Sequence, residues 1–249
     1  MSVALPTVPV LHSEWIKIRS LRGTLWALIA VFAATVGIQT LTAAAIGDAE
    51  AGSMGADPLL AAFYGLTFGQ IAALAFGASA FAAEFHHGAL RNTLAAVPDR
   101  TRFYLSKISM IAVLSLLVGE VAGFVTFVAG QQFMGPYAIE LGAEGTVRAI
   151  AGCGVYLMLM ALLAAGLTAM LRNSAAALAI LIPCILILPF VVGEAAGGLV
   201  DYMPDQAGQM VMRTHGQGDL GPWTGLGVMA LWSAAALVGG WFAIRRRDV

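Results

Sequence analysis

Long apolar runs separated by short charged stretches make up most of this chain. A helix needs about 20 apolar residues to cross the hydrocarbon core of a bilayer. Six runs meet or approach that length: 25–46, 61–82, 108–128, 147–171, 175–192 and 223–244. The fifth is the shortest, and it carries Pro183 and Pro189. Each proline removes a backbone donor and bends a helix. The pattern predicts an all-α membrane protein with six transmembrane helices, forming one domain over residues 1–249. Composition agrees, because only 11% of residues are charged. Soluble domains are about a quarter charged, and so few charges cannot build a water-soluble shell.

Charge placement orients the helices. Lys17, Arg19 and Arg22 precede the first run. Arg91, Arg100, Arg102 and Lys107 lie between the second and third, Arg172 between the fourth and fifth, and Arg245, Arg246 and Arg247 after the sixth. With six crossings, 11 of the 13 Lys and Arg fall on one side, and only Arg148 and Arg213 on the other. That other side holds Asp48, Glu50, Asp57, Glu140, Glu144, Glu194, Asp201, Asp205 and Asp219. Cytoplasmic loops carry the excess of Lys and Arg, so the basic side and both termini are expected in the cytoplasm. Five or seven crossings would scatter the basic residues over both faces. The first run is longer than the roughly 7–15-residue apolar core of a secretory leader, and is read as a span. The net charge of −1 says nothing about partners, and no nucleic-acid partner is expected.

Several segments between or within the runs carry further information. Residues 10–24 are too charged to span. Leu11, Trp15 and Ile18 share a helical face there, although Arg22 falls in line with it. Trp and Lys/Arg favour the headgroup zone. Trp15, Lys17, Arg19 and Arg22 therefore mark an interfacial helix on the cytoplasmic surface, with a disordered basic leader as the alternative. Residues 84–107 form the longest cytoplasmic connection. Glu84, Gly88 and Arg91 recur at i, i+4 and i+7 on one helical face, spaced so that Glu84 and Arg91 could pair. Pro98 ends that helix, and Asp99 or Thr101 can cap the next. A short charged helix–turn–helix under the membrane suits docking to a cytoplasmic protein, and an ordinary basic loop is the alternative.

Glu120 is the only charged residue deep in a run. A carboxylate in the membrane is expensive and marks a functional site by default. It would belong to a transport path, or make an interhelical hydrogen bond to Gln70, Thr126 or a serine. Residues 193–222 include an apolar stretch, 195–200, far too short to cross. A re-entrant or surface-lying helical pair fits, provided protein or water covers its backbone; a plain loop is the alternative. Four GxxxG spacings, Gly65–Gly69 and Gly119–Gly123 among them, carry little weight among 29 glycines.

The absent motifs narrow the function. Neither Lys17 nor Lys107 sits in a G-x-x-x-x-G-K-[ST] loop, so the chain cannot supply a P-loop for ATP. His86 and His87 are adjacent rather than at the i, i+4 spacing of a helical metal pair. Gly77-Ala78-Ser79-Ala80 faintly resembles an intramembrane serine protease, but no histidine lies in any run to act as base. Cys153 and Cys184 are read as free thiols. A membrane-embedded enzyme would need convergent titratable groups that the runs lack. A non-transporting membrane anchor is the other rival.

Taken together, several stretches resemble the membrane subunit of ABC-2 type transporters, the permease half of ATP-driven exporters. They are Ser13 through Arg22; Glu84-x-x-x-Gly88-x-x-Arg91-x-x-Leu94 with Pro98-x-Arg100 and Lys107; Tyr202-Met203-Pro204 with Ala207-Gly208; and Pro222-Trp223-x-Gly225, Trp232 and Arg246-Arg247-Asp248. Asp99 departs from the small polar residue expected after the proline. The resemblance implies that two six-span subunits, as a homodimer or a related heterodimer, form the pore. It also implies a separate ATP-binding-cassette subunit, carrying ATP and magnesium, docked on the cytoplasmic face; this chain itself would hold no cofactor. A coupling segment would comprise Glu84, Gly88, Arg91, Leu94, Pro98, Asp99, Arg100 and Arg102, with Arg172 as a second contact. Residues 193–222 would be re-entrant helices closing the outer end. The implied location is the bacterial cytoplasmic membrane, and the implied cargo is lipophilic or amphipathic: a drug, an antibiotic peptide or a lipid-like molecule.

Overall fold

The computed structural model describes residues 15–16, 22–51, 57–96, 99–135, 138–189, 191, 197–214 and 220–246. In chain order the helices are α1 (Arg22–Ala51), α2 (Pro58–Ala61), α3 (Leu66–Ala82), α4 (Ala89–Ala96), α5 (Arg100–Gln131), α6 (Thr146–Leu171), α7 (Ser174–Leu186), α8 (Pro204–Gln209) and α9 (Pro222–Arg246). Short 3-10 segments occupy Ala83–Gly88, Gly197–Tyr202 and Met210–Met212. Among the described residues there is no strand. Five of the described helices, α1, α3, α5, α6 and α9, are long and apolar enough to cross a membrane. The fifth apolar run forms α7, which is only 13 residues long and contains Pro183.

Helix α6 lies at the centre. It packs against α3, α5, α7, α9 and the Met210–Met212 turn. The most apolar stretch of α6 is 72% buried, against 22% for α1 and for α9. Small residues make these approaches possible, as expected where lipid removes any hydrophobic drive between helices. A Cβ at Gly77 of α3 would overlap the Ala161 backbone of α6, and one at Gly166 of α6 would lie 2.6 Å from the Ala236 carbonyl carbon of α9. Two of the GxxxG pairs sit at such contacts: Gly65 and Gly69 face Thr35 and Gln39 of α1, and Gly119 and Gly123 face Cys153 and Gly154 of α6. Their spacing looked like chance in the sequence, yet each marks a close helix contact.

The helix boundaries depart from the apolar runs at defined places. The second spanning helix starts at Leu66, not Ala61, because residues 62–65 form a tight turn. Gln39 holds that turn, its Nε2 donating to Ala61 O (3.3 Å) and its Oε1 accepting from Gly65 N (3.0 Å). Asp57 caps α2, with Pro58 at the first helical position, where a missing N–H does no harm. The third spanning helix starts eight residues before the apolar run, at Arg100. The Asp99 side chain caps it, accepting from Thr101 N (2.9 Å) and Arg102 N (3.2 Å). That settles the capping residue and explains Asp99 after the proline, since Asp is among the best N-caps. At 32 residues, α5 is about 48 Å long and outruns a hydrocarbon core of about 30 Å. Between α6 and α7 the chain turns on two residues, Arg172 in the left-handed conformation (φ 56°) and Asn173 as N-cap. Residues 193–222 are described in part: the 3-10 segment Gly197–Tyr202, then α8 and Met210–Met212, which are buried against α6 and α9.

The Gly77 contact predicts that Gly77→Ala forces α3 away from α6 and destabilises the detergent-solubilised protein by about 1–3 kcal/mol. Gly37→Ala, where a Cβ meets nothing within 4 Å, should leave the thermal midpoint unchanged or slightly raised. Equal midpoints for both variants would contradict the packing.

Candidate functional site

The end of the bundle where α3 finishes and α5 begins carries most of the described basic residues. Glu84 lies in the 3-10 segment just past α3, and Lys107 lies two turns into α5. The Lys107 Nζ reaches Glu84 Oε1 at 2.6 Å, and both side chains are buried. Thr93 Oγ1 stands 3.2 Å from the other carboxylate oxygen. Phe81 stacks edge-on with Tyr104 at 5.7 Å and lies 5.9 Å from Phe85, flanking the pair with aromatic surface. Glu84 and Arg91 do not share one α-helix, because residues 83–88 wind as a 3-10 helix before α4 starts. The surroundings of Gly88 and the side chains of Arg91 and Leu94 lie outside what is described, as do Pro98, Lys17 and Arg19. Trp15 and Ile16 are helical and exposed, and Arg22 is exposed at the start of the described part of α1.

The same end brings the two short connections together. Arg172, in the α6–α7 turn, lies with its guanidinium 5.9 Å above the Phe85 ring. Its Nε and Nη2 are buried without a hydrogen-bond partner. Arg172 is the only described non-glycine residue with positive φ, a conformation that costs an L-residue roughly 1–2 kcal/mol.

Arg100 makes contacts within the chain. Its Nη1 donates to Ile244 O (2.9 Å) and Arg245 O (3.4 Å), capping the C-terminal carbonyls of α9 with a cation. Tyr104 OH donates to Leu237 O (2.7 Å), and Trp241 Nε1 donates to Thr101 Oγ1 (3.2 Å). The first turns of α5 are thus joined to the last turns of α9. Arg245 and Arg246 lie over the rings of Trp241 and Phe242.

Glu120 is half-buried on α5, and its carboxyl group covers Gly154 of α6. Among the described residues no hydrogen bond joins it to Gln70, Thr126 or a serine. Gln70 instead accepts a hydrogen bond from Tyr156 OH, and the Thr126 hydroxyl is buried without a partner.

At the opposite end, the two arginines that break the charge pattern belong to one junction. Arg148, at the start of α6, donates from Nε to Val211 O (3.2 Å) and from Nη2 to Arg213 O (2.5 Å). It caps the carbonyl end of Met210–Met212. Asp57 fastens the same segment, accepting from Thr214 N at Oδ2 (2.5 Å) and from Thr214 Oγ1 at Oδ1 (2.6 Å). Burial raises the Asp57 pKa, but the bonds from Thr214, Leu60 and Leu59 outweigh it and hold the carboxyl below its ordinary value. Sequence reasoning missed this junction. Its available signals were the Asp57-Pro58 start signature and the two arginines stranded on the acidic side.

Helices of this length and polarity, joined at both ends by charged and polar contacts, define a multi-pass all-helical membrane protein. A family model described as ABC-2 family transporter protein matches residues 10–197, well over half the chain, and the chain therefore belongs to the ABC-2 transporter family. The match stops at Gly197, so the resembling motifs from Tyr202 onward lie beyond it. A comparison with curated proteins returned no match.

Two outcomes follow from these contacts. Lys107→Ala or Glu84→Ala, each leaving a buried charge without its partner, should destabilise the protein by about 3–5 kcal/mol. Glu84→Leu combined with Lys107→Met should lose clearly less than the sum, as read by thermal unfolding in detergent. The Asp57 pKa is lower folded than unfolded, so its stabilisation is fully present above the ordinary carboxylate value and fades as pH falls through the lowered one. The stability gap between wild type and Asp57→Asn should therefore be constant near neutrality and close on acidification. A gap that widened in acid would reverse the sign.

Proposed function

We propose that this chain is the permease subunit of an ATP-driven exporter, moving an amphipathic or lipophilic substrate outward across the bacterial cytoplasmic membrane. Transporter families of this class normally work with an ATPase partner, and that partner would supply ATP and magnesium. The basic end faces the cytoplasm in this reading, with both termini, and α7 completes a sixth crossing. The segment from Gly197 to Met212 is the re-entrant element that closes the outer end. A second copy or a paralogue completes the pore. The exposed Trp15 and Ile16 belong to the surface helix that precedes the first span.

One juxtaposition supports the docking surface above all. The two cytoplasmic connections, far apart in sequence, meet where Arg172 lies over Phe85 beside the buried Glu84–Lys107 pair. Arg172 is held in a strained backbone conformation with two guanidinium nitrogens unpartnered. Strain stored at a turn is a mark of a functional contact, and the half-buried Arg172 leaves part of its side chain at the surface for the ATPase to meet. Asp99 and Arg100 act within the permease, shaping the surface by capping α5 and α9. Gly88, Arg91, Leu94, Pro98 and Arg102 remain its proposed outward contacts. Closure of the ATPase would push on this surface, and α5 and α6 would carry the motion through the membrane. Glu120, on α5, is the proposed polar point on the transport path.

The test is co-purification of the tagged chain with its ATPase in mild detergent. Arg172→Glu and Arg91→Glu should each reduce the ATPase recovered by about tenfold or more, with membrane insertion and gel-filtration profile unchanged. Full recovery with both variants would remove this end of the bundle as the docking surface.

A further inference from the structure

At the end opposite the Glu84–Lys107 pair, a cavity of about 380 Å³ opens between the first turns of α3, the end of α7 and helix α8. Its size falls within the range of small-molecule sites, roughly 300–1,000 Å³. The wall has two chemical halves. Ile185, Leu186 and Pro189 present hydrocarbon, while Gln70, Asp205 and Gln209 present polar groups. A hydrogen-bonded column fixes the polar half: Gln209 Nε2 approaches Tyr156 OH (3.5 Å), and Tyr156 OH donates to Gln70 Oε1. Gln70 and Tyr156 are both buried.

Asp205 is the unusual member. It is 3% exposed. One carboxylate oxygen accepts from Gln206 Nε2 (2.9 Å), and the other is buried without a partner. Among the described residues no cation pairs with it, although Arg148 and Arg213 lie in the adjacent junction, where Arg148 is spent on backbone carbonyls. A buried carboxylate without a counter-charge is costly unless something compensates it. Among the described residues no group of three His, Cys, Asp or Glu converges to hold a metal ion. One carboxylate, neighbouring amides and an apolar wall suit a singly charged organic cation better.

We propose that this cavity binds one ammonium group carried on an apolar body, with Asp205 as its counter-charge and Ile185, Leu186 and Pro189 against its hydrocarbon. The binding stands on the cavity itself; that the bound amine is cargo rests on the export reading above. An ammonium amphiphile that enters here exchanges water for a charge-assisted hydrogen bond to Asp205 and buries its chain. A neutral alcohol of the same length gains only the second term. A headgroup that adds a phosphate beside its ammonium brings a negative charge towards Asp205 and is disfavoured.

The test is equilibrium dialysis of labelled octylamine against the full-length permease in maltoside detergent, with no ATPase and no ATP. Octylamine should bind at least about tenfold more tightly than octanol. Asp205→Asn should abolish that preference, and Asp205→Glu should restore most of it. Lysophosphatidylethanolamine should compete poorly. Equal binding of amine and alcohol by the wild-type protein overturns the proposal without recourse to any variant. So does a preference that survives in Asp205→Asn, and so does lysophosphatidylethanolamine displacing octylamine as well as octylamine itself, which would assign the cavity to lipid. Failure here leaves the co-purification result untouched, and loss of the ATPase partner leaves this measurement untouched.

Discussion

Close backbone approach around α6 is the constraint on which the rest of the fold depends. Lipid chains are as apolar as leucine, so burying leucines against each other gains little in a membrane; helices hold together where their surfaces fit. Helix α6 supplies that fit with Gly152, Gly154, Ala161, Ala164, Ala165, Gly166 and Ala169, all buried. Neighbours approach so closely that single Cβ atoms on the glycines of α3 and α9 would collide with its backbone or side chains, and those on α5 would press tightly against it. Because α6 packs against α3, α5 and α9 and against the Met210–Met212 turn, its position sets where the polar contacts of both ends can form.

Those polar contacts repeat one device. An arginine near the start of a long helix reaches the carbonyl end of another element: Arg100 of α5 to α9, and Arg148 of α6 to Met210–Met212. Each satisfies carbonyls that a helix terminus leaves free and places a cation at the negative end of its dipole. The Glu84–Lys107 pair and the Asp57–Thr214 contact work at the same two levels. In the proposed permease, α5 carries the contacts of the docking end and α6, packed along it, carries the contact at the outer end. A stiff helix so connected transmits displacement rather than absorbing it, and the outer contact of α6 adjoins the cavity that holds Asp205.

Much of this was legible in the amino-acid sequence. A run of apolar residues long enough for a bilayer must be helical there, because no other single segment satisfies its own backbone. Five runs accordingly became helices close to their expected limits, and the shortest, 175–192, became the short α7 with Pro183 inside it. The pairing of Glu84 was not legible. Its spacing to Arg91 presumed one continuous α-helix, whereas the chain winds as a 3-10 helix at 83–88 and meets Lys107 of the following helix. Likewise, Gln70 was within plausible reach of Glu120 in sequence terms, but the rotation of α3 turns it to Tyr156.

The sequence by itself determined what the membrane dictates: helix number and length to within one short element, and which end is basic. Hydropathy and charge act locally, so each run reports its own fate. Tertiary structure alone decided partners. Which residue caps α9, why Arg148 lies on the acidic side, and that Asp205 lines a cavity with an unpartnered oxygen all depend on how helices rotate about their axes. That rotation is set by small-residue contacts summed over the whole bundle, and no single segment encodes it.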